Sequence, residues 1–347
     1  MSKFWSTLPK MENQNEEGII SYKKPFDFEY ENIHINDELL AKVTINRHHQ
    51  NETVYFILEN GLSPSGNSYL VNPKFLNSHL TTTLYEESSN KMQGFALALY
   101  NTLRMNEEEY KSVITTLLTV NVDYRKINLA KHLISSIIDH TYKSGSYIGY
   151  HFIGSPRTES NIHCHTYFRP LNNKIALSYG YEVPVGEYEV RTSSDYSIRK
   201  SVFSDLELCN KTKRHLYTSL TQTEFEDLMQ NCEALTVLCK QKVVGVIIFR
   251  ATLLHIFKVK RLCSVARILY FEMLPKHNHH VVSTVIDYLT KLDKYVVMSG
   301  ACLGELSDEK FRRSLGFITS GNTYLDFYNF NIAKQYRNSE AVNVLYV

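Results

Sequence analysis

The stretch "SVITTLLTVNVDYRKINLAKHLISSIIDHTY" (residues 112–142) sets the fold that we expect for this chain. It begins with a β-branched run of strand length, "SVITTLLTVNV" (112–122), which predicts a strand. After the loop "DYRKIN", the residues Leu129, Leu133 and Ile137 recur at helical spacing, which predicts a helix. The stretch therefore predicts a strand, a short basic loop and a helix, which is the local pattern of an α/β fold.

The basic loop carries residue types that favour phosphate binding. Arg125 and Lys126 are cations, and the backbone N–H groups near Asn128 and Leu129 lie at the positive end of the helix dipole. These groups predict that a pyrophosphate binds at this corner. A plain strand-to-helix turn with two solvated cations is the alternative, and the stretch taken by itself favours that alternative.

A later part of the chain repeats the same pattern in outline. The stretches "NKMQGFALALYN" (90–101) and "KQKVVGVIIFRA" (240–251) share a Lys-x-x-Gly sequence that leads into an apolar strand. Each is followed by another strand and then by a helical pattern, which in the second copy is "VVSTVIDYLTKL" (281–292). Such internal similarity predicts two similar α/β units in tandem.

Composition restricts the class of protein. The chain has 347 residues, of which 43% are hydrophobic and 21% charged, and its formal net charge is +2. These values are typical of a globular protein that buries a sizeable core, and they give no electrostatic case for a nucleic-acid partner. No long apolar stretch and no leader-like N-terminus occurs, so we expect no integral membrane segment and a cytoplasmic location.

Cysteine and histidine patterns do not predict a metal site. None of the six cysteines belongs to a CxxC pair, which favours reduced thiols over a disulfide framework or a zinc site. The stretches "HCH" (163–165) and "HNHH" (277–280) contain possible ligands, but neither has a second ligand pair at a zinc-like spacing. We therefore expect no metal.

Five short motifs together carry a family resemblance. In chain order they are "KFWSTLP" (3–9), "NPKFL" (72–76), "LTVNVDYRKINLAKHLI" (118–134), "CHTYFRPLN" (164–172) and "GNTYLDFYNF" (321–330). Each motif is weak alone, but five in the right order and spacing are hard to obtain by chance. In this order and spacing they are similar to motifs of N-myristoyltransferases, and the chain resembles that family over nearly its whole length.

The resemblance implies a duplicated acyl-CoA N-acyltransferase (GNAT-like) fold of the α/β (α+β) class, with two pseudo-symmetric halves around a continuous twisted sheet. Residues 1–175 are expected to form the acyl-CoA-binding half, and residues 176–347 the peptide-binding half with the catalytic C-terminus. The implied activity is transfer of a myristoyl group from myristoyl-CoA, a co-substrate, to the N-terminal glycine of a peptide. No other cofactor is expected, and we expect a monomer.

Two other functions stay open at this point. One is a weakly catalytic or non-catalytic acyl-CoA-binding homologue with altered peptide recognition. The other is a small-molecule acetyltransferase, which the N-terminal and C-terminal motifs disfavour because simpler members of the superfamily lack them.

The resemblance assigns the catalytic roles to backbone groups. The N–H groups of Leu117 and Leu118 are expected to form an oxyanion hole for the thioester oxygen. The carboxylate of Val347, the last residue, is expected to take a proton from the substrate's glycine ammonium, because an amine is nucleophilic only when neutral. The apolar final stretch "SEAVNVLYV" (339–347) agrees with a carboxylate that must be held inside the protein.

The resemblance also implies two sets of binding residues. The expected acyl-CoA contacts are Lys3, Phe4, Trp5, Val120, Arg125, Lys126, Ile127, Asn128, Leu129, Ala130 and Phe152. The expected peptide contacts are Tyr69, Thr116, Phe168, Ser320 and Gly321.

Departures from the family concentrate on the peptide side. Thr116 stands where the family has Asn, Phe152 where it has Thr, and Ser320 where it has a peptide-contacting Asp. An acidic loop of the family is replaced by "NGLSPSGNS" (60–68), which has no acidic residue. The sequence therefore predicts that acyl-CoA binding is better preserved than peptide recognition, and that the preference for basic peptides is weaker.

Overall fold

The computed structural model describes residues 16–25, 27–28, 30–35, 39–61, 68–77, 79–125, 127–155, 161–186, 188–212 and 214–347. Four of the expected acyl-CoA contacts lie outside the described residues: Lys3, Phe4, Trp5 and Lys126.

Seven α-helices and eighteen strands occur in the described part of the chain. The helices are α1 (Gln50–Asn60), α2 (Pro73–Asn77), α3 (Leu129–Lys143), α4 (Asn173–Ser178), α5 (Gln222–Met229), α6 (Asn278–Leu292) and α7 (Glu309–Ser314). The strands are β1 (Gly18–Ile19), β2 (Ile33–His34), β3 (Leu40–Ile45), β4 (Ser68–Leu70), β5 (Leu80–Glu86), β6 (Met92–Met105), β7 (Glu108–Val120), β8 (Ile148–Ile153), β9 (Ile162–Pro170), β10 (Tyr196–Lys200), β11 (Leu216–Thr218), β12 (Glu233–Cys239), β13 (Lys242–Ile256), β14 (Arg261–Met273), β15 (Val297–Ala301), β16 (Ile318–Tyr328), β17 (Phe330–Asn331) and β18 (Val342–Asn343).

The predicted strand, loop and helix are confirmed. Strand β7 is followed by a short 3-10 turn at Val122–Tyr124 and then by α3. Both long helices, α3 and α6, have 15 residues and begin within three residues of the predicted helical patterns. Among the described helices, none combines the length and the apolar character that crossing a membrane requires.

The chain divides into two compact units whose segments interleave. Unit 1 comprises Met1–Asn101, Tyr110–His151 and Asp326–Lys334. Unit 2 comprises Thr102–Glu109, Phe152–Leu325 and Gln335–Val347. The division of roles at residue 175 expected from the sequence is a statement about function, and it stays a prediction.

Unit 1 contains a mixed sheet covered by α3. Its strands follow the order β8-β7-β6-β5-β3-β2, in which β7 and β8 are parallel and β2, β3, β5 and β6 pair antiparallel. Leu129, Leu133 and Ile137 of α3 are at most 2% exposed and pack in a core with Val43 and Leu84 of the sheet. The helical spacing seen in the sequence is therefore the buried face of α3.

Unit 2 repeats this arrangement with α6. Its strands follow the order β10-β12-β13-β14-β15-β9-β16, in which β14 and β15 are parallel and the other pairs antiparallel. Val281, Val285 and Leu289 of α6 are fully buried and pack in a core with Ile247 and Phe249 of β13.

The internal repeat predicted from the sequence is confirmed in the order of elements. Unit 1 contains β5-β6-β7-α3-β8 and unit 2 contains β12-β13-β14-α6-β15, and in each the strand after the helix pairs parallel with the strand before it. The α/β class expected from the sequence is also confirmed.

Candidate functional site

The start of helix α3 is open to an anion. Asn128 precedes the helix in the left-handed conformation, with φ 66°, and its side chain makes no capping hydrogen bond. The first turn contains no acidic residue. The N–H of Lys131 donates to the backbone oxygen of Asn128 at 3.0 Å, but the Asn128 side chain does not occupy the earlier N–H groups, so these and the positive end of the helix dipole can bind a phosphate oxygen.

The guanidinium of Arg125, in this corner, is hydrogen-bonded to nearby backbone oxygens. Arg125 is exposed, its Nη2 donates to the backbone oxygen of Asn60, and its Nε donates to that of Val120 at 3.5 Å. The side-chain oxygen of Asn60 accepts from the N–H of Val122 at 3.1 Å. Asn60, which the sequence did not single out, therefore joins the end of α1 to the loop before α3.

The remaining corner residues line the same turn with different exposures. Leu129 is buried and packs under the helix, whereas Val120 and Ala130 are half-buried. Ile127 is 41% exposed and Asn128 is exposed. The structure thus brings the described members of the predicted phosphate corner together within one turn of unit 1.

Strand β7 is irregular at Leu117. The residue has φ 53°, in the left-handed region that an L residue with a Cβ rarely adopts, and its backbone oxygen accepts from Thr119 Oγ1 at 3.1 Å. A residue in this conformation interrupts the regular strand backbone. Leu118, the next residue, is 39% exposed. Such local strain is often found at functional sites.

The C-terminal segment, residues 339–347, is held inside unit 2. Strand β18 pairs parallel with β11, the N–H of Leu345 donates to Thr218 Oγ1 at 3.0 Å, and the N–H of Tyr346 donates to the oxygen of Leu269 at 2.8 Å. Val347 is only 8% exposed. Within these residues only Val342–Asn343 (β18) form a regular strand, so side-chain and single backbone hydrogen bonds hold the last residues.

The ring of Tyr346 has two contacts within unit 2. The guanidinium of Arg267 lies 4.6 Å from its centroid, and the ring of Phe152 meets it edge-on with centroids 4.7 Å apart. Phe152, which the sequence predicts as an acyl-CoA contact, therefore packs on the next-to-last residue.

A buried ionic network holds the same segment further from its end. Glu272 Oε2 accepts from Asn343 Nδ2 at 2.8 Å, and Arg214 Nη2 lies 3.4 Å from Glu272 Oε1 and 2.9 Å from Glu305 Oε1. The side chains of Arg214 and Glu272 are 7% and 1% exposed. Burial raises the pKa of Glu272 above its ordinary value, although Arg214 and Asn343 act in the opposite direction.

The expected peptide contacts fall into two groups, one in each unit. In unit 2, Phe168 and Ile318 are paired across β9 and β16, and Ser320 Oγ donates to Thr166 Oγ1 at 3.0 Å. Gly321 pairs with Thr166 on the same ladder. In unit 1, the two candidates are half-buried: Tyr69 on β4 and Thr116 on β7.

Cys164 lacks the character of a nucleophile. The residue is 1% exposed, and burial raises the pKa of its thiol to about 12, so the thiol stays protonated at neutral pH.

The neighbouring rings of His163 and His165 lie 4.7 Å apart. Within the described ranges, no group of three or more His, Cys, Asp or Glu side chains is placed to hold a metal ion.

Comparison with known proteins identifies the fold. No protein-family model matches the sequence, and no curated protein matches it. The structure is similar to a crystal structure of Saccharomyces cerevisiae N-myristoyltransferase with bound myristoyl-CoA, with a TM-score of 0.76 and 17% identity over 99% of this chain and 98% of that one.

Two further structures of the Saccharomyces cerevisiae enzyme give the same result. One, with bound myristoyl-CoA and inhibitors, has a TM-score of 0.76 over 95% of this chain and 90% of that one, at 17% identity. The other, with bound myristoyl-CoA, has a TM-score of 0.73 over 95% of this chain and 88% of that one, also at 17% identity. The resemblance expected from the sequence is thus confirmed at the level of the fold.

Proposed function

We propose that this chain transfers a myristoyl group from myristoyl-CoA to the N-terminal glycine of a peptide. The observation that carries the proposal is the way in which the C-terminal segment is held, with hydrogen bonds up to Tyr346 and only 8% exposure of Val347. Chain ends usually fray, so a segment held in this way agrees with the role that the resemblance assigns to the carboxylate of Val347. The fold, shared with yeast N-myristoyltransferase over 99% of the chain, supports the same reaction.

In this proposal, the corner of unit 1 binds the CoA pyrophosphate. The N–H groups at the start of α3 and the guanidinium of Arg125 supply its donors. Ile127, within the corner, and Leu118, near the end of β7, have exposed apolar side chains, which suit contact with an acyl chain or pantetheine.

The chemical step is a direct displacement. The carboxylate of Val347 takes a proton from the glycine ammonium, and the neutral amine attacks the thioester carbonyl carbon. A C–N bond forms and the C–S bond breaks, and the surplus proton on the amine nitrogen passes to the departing thiolate, so CoA leaves as its thiol and the product is a neutral amide. The N–H groups of Leu117 and Leu118 stabilise the negative charge on the carbonyl oxygen during this step.

Mass spectrometry of peptides tests the proposal directly. Purified protein is incubated with myristoyl-CoA and a panel of peptides that start with Gly, with Ala-starting peptides as the matched control. Acylated Gly peptides are the expected product. Myristoyl-CoA binding without any acylated peptide would support the non-catalytic acyl-CoA-binding alternative, and absence of binding to the folded protein would exclude both functions.

Variants of the last residue test the proposed base. Val347→Ala should keep most of the activity, because only the carboxylate is used. Deletion of Val347, or two added glycines after it, should lower turnover by about 10²–10⁴-fold, the usual effect of losing a general base. Binding of myristoyl-CoA, measured by calorimetry, should survive these changes. A two-glycine extension that turns over as fast as the wild type would exclude Val347 as the base.

A further inference from the structure

Backbone pairing alone defines the register of the C-terminal segment only weakly. Strand β18 has two residues, and its ladder consists of Val342 opposite Leu216 and Asn343 opposite Tyr217. A slip of one residue in such a short ladder would exchange the two faces of the strand. The neighbours of Asn343 are Val342 and Val344, so apolar residues on both sides do not by themselves exclude the slip.

The side chain of Asn343 distinguishes the correct register from the slipped one. It is 2% exposed, and its Nδ2 donates to Glu272 Oε2 at 2.8 Å and to the oxygen of Phe271 at 3.1 Å. A valine brought to this position by a slip could not donate either bond, and the buried carboxylate of Glu272 would lose a partner. Arg214 would still pair with Glu272, but loss of a hydrogen bond to a buried charged group is costly, so the slipped register is disfavoured.

Arg214 connects this carboxylate to a second point of the segment. Its Nη2 lies 3.4 Å from Glu272 Oε1, while its Nη1 donates to the backbone oxygen of Glu340 at 3.2 Å. The guanidinium is 7% exposed and lies against Gly304, where a Cβ would meet its Nη2 at 3.4 Å. The cation and the carboxylate therefore each bind one position of the same segment.

We propose that Arg214, Glu272 and Asn343 are positioning residues that fix the register of the C-terminal segment and so the place of its terminal carboxylate. Buried ion pairs contribute little net stability, and setting a register is their best-supported role. The part of this proposal that concerns catalysis rests on the proposed function. The part that concerns the position of the C-terminal segment does not depend on that function.

Asn343→Leu tests the proposal because it keeps the approximate size of the side chain and the Arg214–Glu272 pair. Carboxypeptidase treatment of the folded protein reports how often the last residues leave their place, since a protease cleaves the open form. Loss of a hydrogen bond to a charged group should speed release of Val347 by about 10–100-fold. If Asn343→Leu does not fold, Glu272→Gln, which keeps the side-chain volume, takes its place.

Another ion pair of unit 2, with a buried carboxylate and a partly exposed guanidinium, provides the control. Asp205 is 5% exposed, binds Arg199 through both carboxylate oxygens at 2.6 Å, and has no hydrogen bond to the C-terminal segment among the described residues. Asp205→Asn should lower the urea midpoint while release of Val347 keeps the wild-type rate. Equal rates of release in the two variants would overturn the proposal.

Steady-state kinetics separate positioning from general loss of structure. In Asn343→Leu, kcat should fall and the KM for myristoyl-CoA should stay within about twofold, because the displaced group acts in the chemical step. An unchanged kcat together with faster release would overturn the catalytic part of the proposal. If the wild type transfers no acyl group at all, the proposed function fails, and the carboxypeptidase comparison still decides whether the network fixes the segment.

Discussion

A Cβ atom on Gly245 would lie 2.4 Å from Cγ1 of Val281, much closer than two carbon atoms pack. Gly245 is on β13 and Val281 is in the first turn of α6, so only a glycine allows this helix to lie directly on the strand. In unit 1, Gly94 of β6 has the same relationship to Leu133 of α3, at 3.0 Å. The glycine shared by the two Lys-x-x-Gly stretches thus has one physical cause, the close approach of a helix.

Gly245→Ala should lower the free energy of unfolding by about 1–3 kcal/mol, the usual cost of forcing an extra methyl group into a packed core. Gly94→Ala should cost less, because its nearest contact is the methyl end of a leucine side chain. Gly154→Ala, where no atom lies within 4 Å of the added carbon, is the control. Urea denaturation measures all three, and equal effects at Gly245 and Gly154 would contradict the packing argument.

The double variant Arg125→Glu with Lys126→Glu should weaken myristoyl-CoA binding by about 1.5–3 kcal/mol, the range for hydrogen bonds to charged groups. The loss of binding free energy should not exceed this range, because the backbone donors at the start of α3 remain. Calorimetry provides the measurement, and Lys111→Glu, an exposed change on β7, is the control. Full retention of affinity in the double variant would place the pyrophosphate elsewhere.

The effect of a substitution at Leu117 on turnover should depend more on whether the new residue tolerates the left-handed conformation than on the size of its side chain. Asn tolerates the left-handed conformation observed at φ 53°, so Leu117→Asn should keep most of the turnover. Val is strongly disfavoured there, and Leu117→Val should lower kcat by as much as the 10²–10³-fold that follows loss of one oxyanion donor. Rapid-quench measurement of the chemical step compares the two. Equal rates in both variants would mean that this conformation has no part in catalysis.

Asp139 should make the stability of unit 1 sensitive to acid. Its carboxylate is 2% exposed and accepts bonds from Lys24 Nζ at 2.9 Å, Tyr30 Oη at 2.6 Å and Lys143 Nζ at 2.7 Å. Burial alone would raise the pKa of Asp139, but these three donors outweigh it and hold the pKa below the ordinary 3.8. The stabilisation is therefore complete above the unfolded-state pKa, near 4, and is lost as the pH falls through the lower folded-state pKa.

Asp139→Asn should therefore lower the free energy of unfolding by about 1.5–3 kcal/mol at pH 7, and the difference from wild type should shrink below pH 4. Urea unfolding across this pH range measures the difference. Asp123→Asn, at an exposed position in the turn before α3, is the control and should show no such trend. A difference that stays constant down to pH 2 would contradict the assignment.

The sequence was sufficient for the parts of the fold that depend on local periodicity. Three such patterns depend only on residues a few positions apart: the helical spacing of Leu129, Leu133 and Ile137, the β-branched run before it, and the two Lys-x-x-Gly stretches. These features predicted β7, α3 and the internal repeat.

The sequence could not reveal the groups that hold the C-terminal segment. The bond from Asn343 to Glu272 joins residues 71 positions apart, and no local pattern marks either as a partner of the other. The same holds for Asn60 and Arg125, which are 65 positions apart. The left-handed conformation of Leu117 was equally hidden, because leucine gives no sign of a positive φ.

Strand β14 has an extra residue at Leu269, which is skipped in its pairing with β13, and the N–H of Tyr346 bonds to the oxygen of that residue. This irregularity falls at nearly the point of the repeat where β7 is irregular at Leu117. In unit 2 the oxygen at this irregularity is thus bound by a segment of the same chain, whose high effective concentration no free ligand can match. Under the proposed function, two copies of the repeat should therefore give a binding stoichiometry of one acyl-CoA per chain.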